Sequence, residues 1–306
     1  MIGEHKTDFA GFPVHDWQPG QSLPDKALPR LILDYDNDGK WSDLLAELLQ
    51  APGAAQLDGL VVGNWQGSQF GTSAEQVVEA LVVAGEKLPG LKVLFIGDIT
   101  YEENELSWIE QTDISPLFAA FPNLEWLGVR GGNGLVLGAP RHEKLKGLVI
   151  ETGGMPGAVF QSVVQAQLPQ LEHLELWLGE ENYGGEVAAT DLKPLLNGDL
   201  FPNLKYLGLR NSEIQNEIAQ ALHGAPVLKK IRVLDLSLGT LTDKGAQALL
   251  DDAAITKLEK LDLHHHFCSD EMMEKLKALP CEVDVSEQEA GDQDGAETYR
   301  YVAHGE

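Results

Sequence analysis

Leu204-Lys205-Tyr206-Leu207-Gly208-Leu209 is followed 27 residues later by Ile231-Arg232-Val233-Leu234-Asp235-Leu236, and 27 after that by Leu258, Leu261 and Leu263. The phrase is an apolar residue, two of any kind, a second apolar residue, one of any kind, then a third. Upstream it returns at Leu171, Leu174 and Leu176, at Leu145, Leu148 and Ile150, and at Leu124, Leu127 and Val129. Further copies stand at Leu91, Leu94 and Ile96 and at Leu57, Leu60 and Val62, with a weaker one at Leu28, Leu31 and Leu33. Successive copies are 29, 34, 33, 21, 26, 33, 27 and 27 residues apart. A short strand at Cys281-Glu282-Val283-Asp284-Val285 is expected to close the series.

The phrase has a physical reading. Alternation between its fourth and sixth positions is the period of a strand, so those side chains point into a core and the residue between them points out. The segment after a phrase often carries helical spacing instead, as in Glu75 to Leu88 with Val77, Val78, Leu81 and Val82. Ser212-Glu213, Thr242-Asp243 and Ser269-Asp270 stand where later helices begin, and their oxygens suit orphan backbone N–H groups. A strand, a turn, a helix and a return loop make one coil of a solenoid. No coil buries its own leucines, so stacking must do it.

Leu234-Asp235-Leu236-Ser237-Leu238-Gly239-Thr240-Leu241-Thr242-Asp243-Lys244-Gly245, with the 27-residue period, resembles the ribonuclease-inhibitor subclass of leucine-rich repeats. The resemblance implies an α/β horseshoe with a parallel β-sheet on its concave face and helices on its convex face. Gly11-Phe12-Pro13-Val14-His15-Asp16, Gly97-Asp98-Ile99-Thr100-Tyr101-Glu102, Val129-Arg130-Gly131-Gly132-Asn133-Gly134, Ile150-Glu151-Thr152-Gly153-Gly154, Leu261-Asp262-Leu263-His264-His265-His266 and Arg300-Tyr301-Val302-Ala303 resemble an uncharacterised family of bacterial cytoplasmic leucine-rich-repeat proteins. Genes of that family neighbour radical-SAM-like and ATP-grasp-like enzymes, which implies an accessory role in a biosynthetic or modification pathway. The repeat pattern departs from its relatives at the ninth position, which usually holds Asn or Cys. Here that position holds Trp65, Ile99, Gly132, Gly153, Gly179, Ser212, Gly239 and His266, so loop backbone groups need other partners.

The expected organisation is an N-terminal cap over 1–27, a repeat solenoid over 28–285 and an acidic, extended C-terminal tail over 286–306, the last docking back on the final coil. Of 306 residues, 48 are acidic and 22 basic, a net charge of -26 that repels nucleic-acid phosphates and anionic membranes. Cys268 and Cys281 make no disulfide framework. The stretch from Met1 to Asp8 holds no apolar leader core, and no apolar run is long enough for a bilayer. A cytoplasmic protein is expected.

Register assigns the outward residues of the strands. Trp126, His173 and Tyr206 share one row, and Arg130, Glu151, Trp177, Arg210 and His264 share another, with Glu175, Asp235 and Asp262 between. Aromatics mixed with Arg and carboxylates are the composition of an interface hot spot, here expected to be exposed on the concave face. The expectation is a non-enzymatic scaffold binding a protein partner there, with no cofactor. Trp177→Ala or Arg210→Glu would then abolish partner capture without lowering stability. The alternative is an accessory protein or enzyme binding a small ligand or metal near Glu151, Glu175, Asp235, Asp262 and His264. Loops Trp177–Gly185 and Asp98–Glu105 read either as recognition loops or as accommodation of longer return segments.

Asp34-Tyr35-Asp36-Asn37-Asp38-Gly39 matches the first half of a calcium loop, but the twelfth position is Leu45 rather than Glu; an acidic turn is the other reading. Of His264-His265-His266 at most the first and last share a side, so metal binding needs further ligands. Nucleophile elbow, P-loop, dinucleotide fingerprint and HExxH motifs are absent from the sequence.

Overall fold

The structure, a computed structural model, describes residues 2–295 and 297–306. Met1 of the expected leaderless start and Ala296 of the expected tail lie outside the described residues. The chain forms two compact units. The first holds the residues up to Glu151 with Gln161–Gln170 and Glu306, and the second holds Thr152–Phe160 with Leu171–Gly305.

In the first unit strands follow one another in chain order: β1 (Asp8–Phe9), β2 (Phe12–Asp16), β3 (Leu28–Leu31), β4 (Gly59–Val62), β5 (Val93–Ile96), β6 (Trp126–Arg130) and β7 (Gly147–Glu151). β1 and β2 are an antiparallel hairpin, and every later pairing in this unit is parallel. In the second unit β8 (His173–Gly179), β9 (Tyr206–Ser212), β10 (Val233–Asp235), β11 (Lys260–Asp262) and β12 (Glu282–Asp284) are parallel in the same way. Helices α1 (Trp41–Leu48), α2 (Glu75–Ala84), α3 (Pro116–Ala120), α4 (Gly157–Val164), α5 (Lys193–Leu196), α6 (Gln215–Leu222), α7 (Asp243–Leu250) and α8 (Asp270–Lys277) occupy return segments between strands.

Register follows the phrase. Its fourth positions, Leu60, Leu94, Leu127 and Leu148 in one unit and Leu174, Leu207, Leu234 and Leu261 in the other, are fully buried. The sixth positions are buried too, Leu209 among them. Apolar faces of the helices, such as Val77, Val78 and Leu81 of α2 or Ala246 and Leu249 of α7, close the core from the other side. Truncating Leu209 to alanine leaves a cavity in a layer that cannot collapse independently. We expect Leu209→Ala to cost about 2–5 kcal/mol in denaturant unfolding; an unchanged midpoint would contradict the register.

The turn after several strands has its own device. The eighth position of the phrase is left-handed in four copies, at Gly131, Asn211, Leu238 and His265. The Leu238 conformation is one that a γ-branched side chain adopts rarely, and packing around the buried Leu238 holds it. Loop carbonyls left without an Asn ladder find other donors. Gln111 Nε2 donates to Arg130 O (2.7 Å), Gln215 Nε2 to Leu209 O (3.0 Å) and Thr152 Oγ1 to Trp177 O (2.8 Å). His266 bridges Val285 O and Cys268 N. Of the three expected N-caps, Ser269 performs as such, its hydroxyl accepting from Met272 N, whereas Thr242 Oγ1 bonds Asn216 and α6 begins past Ser212.

Both ends carry strands of their own. β2 is a parallel strand of the sheet, with Val14 opposite Leu28; Pro13 sits opposite the two-residue β1, where a missing N–H costs little. After α8 and β12 the chain forms a hairpin, β13 (Asp292–Asp294) with β14 (Glu297–Tyr299), and then doubles back. No helix among the described residues is long and apolar enough to cross a membrane.

Candidate interaction face

The fifth position of the phrase faces away from the leucines, and it differs between the units. In the first unit it carries Val61, Phe95, Gly128 and Val149, an apolar row. The β1–β2 hairpin covers it. Phe9 lies edge-on to Phe95 (5.0 Å between centroids) and Trp126 (6.1 Å), and joins Val14, Val61, Phe95 and Val149 in one buried cluster. Gly128 leaves the room: a Cβ there would stand 2.2 Å from the Phe95 ring and 2.9 Å from Phe9.

Beyond that row the first unit holds a buried chain of charges. The Asp98 carboxylate is fully enclosed. It accepts from Arg30 Nη1 (2.7 Å), from Arg130 Nη1 (3.4 Å) and from the Lys6 backbone N–H (3.1 Å). Arg130 Nε donates to Glu151 Oε2 (2.7 Å), and Lys6 Nζ donates to Glu151 Oε1 (2.7 Å). Arg30 Nε reaches Asp16 at the surface (2.7 Å). Lys6 and Arg130 also lie over the Phe95 ring. The expected exposure of Arg130 and Glu151 is therefore corrected: both are buried, because the N-terminal segment lies over the face they point to. Asp98, Arg30 and Lys6 were missed as partners of that pair. Their signal was an Arg inside the apolar Leu28-Pro29-Arg30-Leu31 and an Asp two residues past the end of β5.

In the second unit the fifth-position row is Glu175, Gly208, Asp235, Asp262 and Asp284, in register across β8 to β12. Like charges side by side are costly, and each carboxylate has a counter-group. Arg210 Nη1 donates to Glu175 Oε1 (2.8 Å), and its Nε lies 3.3 Å from Asp235 and donates to Ser237 Oγ (2.8 Å). Tyr206 Oη donates to Asp235 (2.6 Å), and Trp177 Nε1 to Glu175 (2.8 Å). The flanking row sets His173 flat on Tyr206, 3.9 Å between centroids. Lys260 Nζ and His264 Nδ1 hold Asp262 at 2.9 and 2.7 Å.

The protonation states follow. Burial works against the Glu175 carboxylate, but Arg210 and the His173 and Trp177 hydrogen bonds outweigh it and hold its pKa well below the usual range. Burial, with Glu175 and Asp235 beside it, pushes the Tyr206 phenol up. Asp262 is likewise kept ionised against burial by His264 and Lys260, and the Asp262 hydrogen bond raises the His264 imidazole. Burial pushes the Cys268 thiol up to about 12, so it is an inert core residue.

The C-terminal segment lies over part of this face. His304 stacks on Trp177 (5.1 Å, 13° between planes) and exchanges two hydrogen bonds with Asn211, at 2.6 and 3.0 Å. Ala303 N donates to Leu238 O, and Val302 N to Glu180. Trp177, expected to be exposed, is buried with His304 stacked on it. Glu175, Asp235 and Asp262, also expected to be exposed, are buried among Trp177, Tyr206, Arg210, Lys260 and His264. His173, Tyr206, Arg210 and His264 keep partial exposure, as does Trp126 in the first unit.

The candidate metal positions resolve differently. Asp262, His264 and Asp284 offer ligand atoms within 4.8 Å of one another, the one such group of three found among the described residues. Lys260 already pairs with Asp262, and Ser286 donates twice to one oxygen of Asp284. His266 points both ring nitrogens at backbone groups and is structural. The acids of Asp34–Asp38 do not converge. That turn is held instead by Gly39 N donating to Asn37 Oδ1 and by Ser68 Oγ donating to Asp38.

Parallel strands at a repeating leucine phrase, with helical returns, define a leucine-rich-repeat protein, and residues 227–250 match a family model described as Leucine Rich repeat. A crystal structure of a Bacteroides fragilis protein from a structural genomics consortium superposes with a TM-score of 0.81 at 35% identity, over 87% of this chain and 76% of that one. The chain therefore belongs to the same leucine-rich-repeat family as that protein. Two Listeria monocytogenes structures are also similar. An internalin-like protein shares 14% identity over 79% of this chain and 66% of that one at a TM-score of 0.46, and an internalin shares 15% over 89% and 74% at 0.42. No curated protein matches.

Proposed function

We propose that the chain is a non-enzymatic protein-interaction module that engages a partner through the outward face of its second unit. The observation that carries this reading is the carboxylate row Glu175, Asp235 and Asp262 with its fixed counter-groups. It holds His173, Tyr206, Arg210 and His264 partly exposed and each tied to a carboxylate of the row, so little side-chain entropy is lost when a partner docks. The internal pairing of the row speaks for binding rather than acid–base chemistry, since Glu175 and Asp262 are held below the ordinary carboxylate range. In the first unit only Trp126 of the corresponding positions stays partly exposed, since Arg130 and Glu151 are buried. The resemblance to proteins encoded beside radical-SAM-like and ATP-grasp-like enzymes supports an accessory role in such a pathway.

The test is affinity capture of the tagged chain from its own cells, with mass spectrometry, beside the double variant His173→Ala, His264→Ala. The expected result is one stoichiometric protein retained by the native chain and lost by the variant, which stays folded with a cooperative transition at a lowered melting temperature because Glu175 and Asp262 each lose a partner. Equal retention by both, or no protein partner at native abundance, would overturn the reading.

A further inference from the structure

The loops that follow β3, β4, β5 and β6 in the first unit carry most of its exposed large apolar side chains: Tyr35 (69% exposed), Phe70 (58%), Tyr101 (39%), Trp108 (61%) and Val136 (49%). These loops form one continuous rim, because each is hydrogen-bonded to the next. Ser68 N donates to Asn37 O, Ala74 N to Glu110 O, Gln111 N to Asn133 O, and Asn133 Nδ2 to Ser107 O. Between Phe70 and Trp108 the rim opens into a cleft of about 330 Å³, with Ser107, Glu110 and Asn133 in its wall. Burying an aromatic stabilises a fold, so aromatics left in water by a hydrogen-bonded, rigid loop call for another occupant.

Charge identifies the occupant. Residues 34–40, 63–74, 97–115 and 131–141 hold nine acids and two bases, Lys40 and Arg141. Asp98 is consumed by the buried network, and Glu103 faces His5 (3.4 Å). Asp34, Asp36, Glu102, Glu105, Glu110 and Asp113 have no cation partner among the described residues. Aromatic faces rimmed by unneutralised carboxylates suit a guanidinium, which stacks on the ring while its edge donates to the acids. We propose that this rim is a docking surface for an arginine-rich, extended segment of a partner protein, with Phe70 and Trp108 clasping an arginine in the cleft. The surface uses none of the outward strand residues.

The test is fluorescence anisotropy of a fluorescein-labelled nonapeptide of arginine, titrated with the full chain at about 0.1 M salt, where exposed charges more than about 10 Å apart are screened. Saturable binding is expected, weakened roughly fivefold or more in Trp108→Ala and in Phe70→Ala. The double variant Glu271→Gln, Glu274→Gln, which removes exposed acids of α8, is expected to bind like the native chain. Melting curves confirm that these surface variants fold. Absence of saturable binding, equal binding by Trp108→Ala, or equal weakening in the α8 variant would overturn the proposal.

Discussion

Asp98→Ala is expected to lower the stability of the first unit by about 3–5 kcal/mol, the cost of removing one partner from a buried ion-pair network. The carboxylate is fully buried and lies against both Arg30 and Arg130. Arg130 would keep Glu151, and Arg30 would keep the more exposed Asp16. The carboxylate between the two guanidinium groups would be gone, and the Lys6 N–H would lose its acceptor. Asp98→Asn retains the shape and an acceptor, so its cost is expected to fall between native and alanine. Urea unfolding at pH 7 reads both. A loss under about 1 kcal/mol for Asp98→Ala would place the network in the class of surface ion pairs.

Arg210→Glu is expected to cost at least as much, about 3–5 kcal/mol or more, by setting a third carboxylate against Glu175 and Asp235. This reverses the expectation that the substitution leaves stability intact, because Arg210 is part of the fold as well as of its surface. Arg210→Met separates the terms. In the native chain the Glu175 carboxyl is held below its ordinary value, so its contribution is complete above the unfolded pKa near 4.3 and is lost as pH falls below it. Without Arg210 that carboxyl loses its largest opposing group, so its pKa rises from the low native value toward the ordinary one. The folded variant then gains less from ionisation than the native chain and loses less as pH falls. The gap between native and Arg210→Met should therefore be widest near pH 7 and narrow toward pH 4. A gap independent of pH would mean that lost packing, not charge, accounts for the effect.

The leucine phrase carried most of the fold because strand alternation and a period near 28 residues are local properties, written once per coil. Leu60 through Leu261 at the fourth position needed no distant information. What escaped depends on contacts between residues far apart in sequence, which leave no period. Lys6 reaches Glu151 across 145 positions, and His304 meets Asn211 across 93. The burial of Trp177 and Arg130 follows from those contacts alone. One signal was present and unread. An outward fifth position that is apolar at Val61, Phe95 and Val149, and Gly at 128, calls for a cover, and Phe9-Ala10-Gly11-Phe12 is the apolar hairpin that supplies it. The same position is acidic at Glu175, Asp235 and Asp262, where polar and charged partners take the place of apolar cover.

Both proposed surfaces depend on one structural claim: the chain's own ends enclose part of the strand faces, while the loop rim of the first unit stands open. Hydroxyl-radical footprinting of the six tryptophans in the intact chain tests it most directly. Trp108 is 61% exposed and Trp177 is 6% exposed beneath His304. The account requires Trp108 to be oxidised several-fold faster than Trp177, with Trp17, Trp41 and Trp65 protected. Oxidation of Trp177 as fast as Trp108 would show that the C-terminal segment does not cover the face, and would contradict the account.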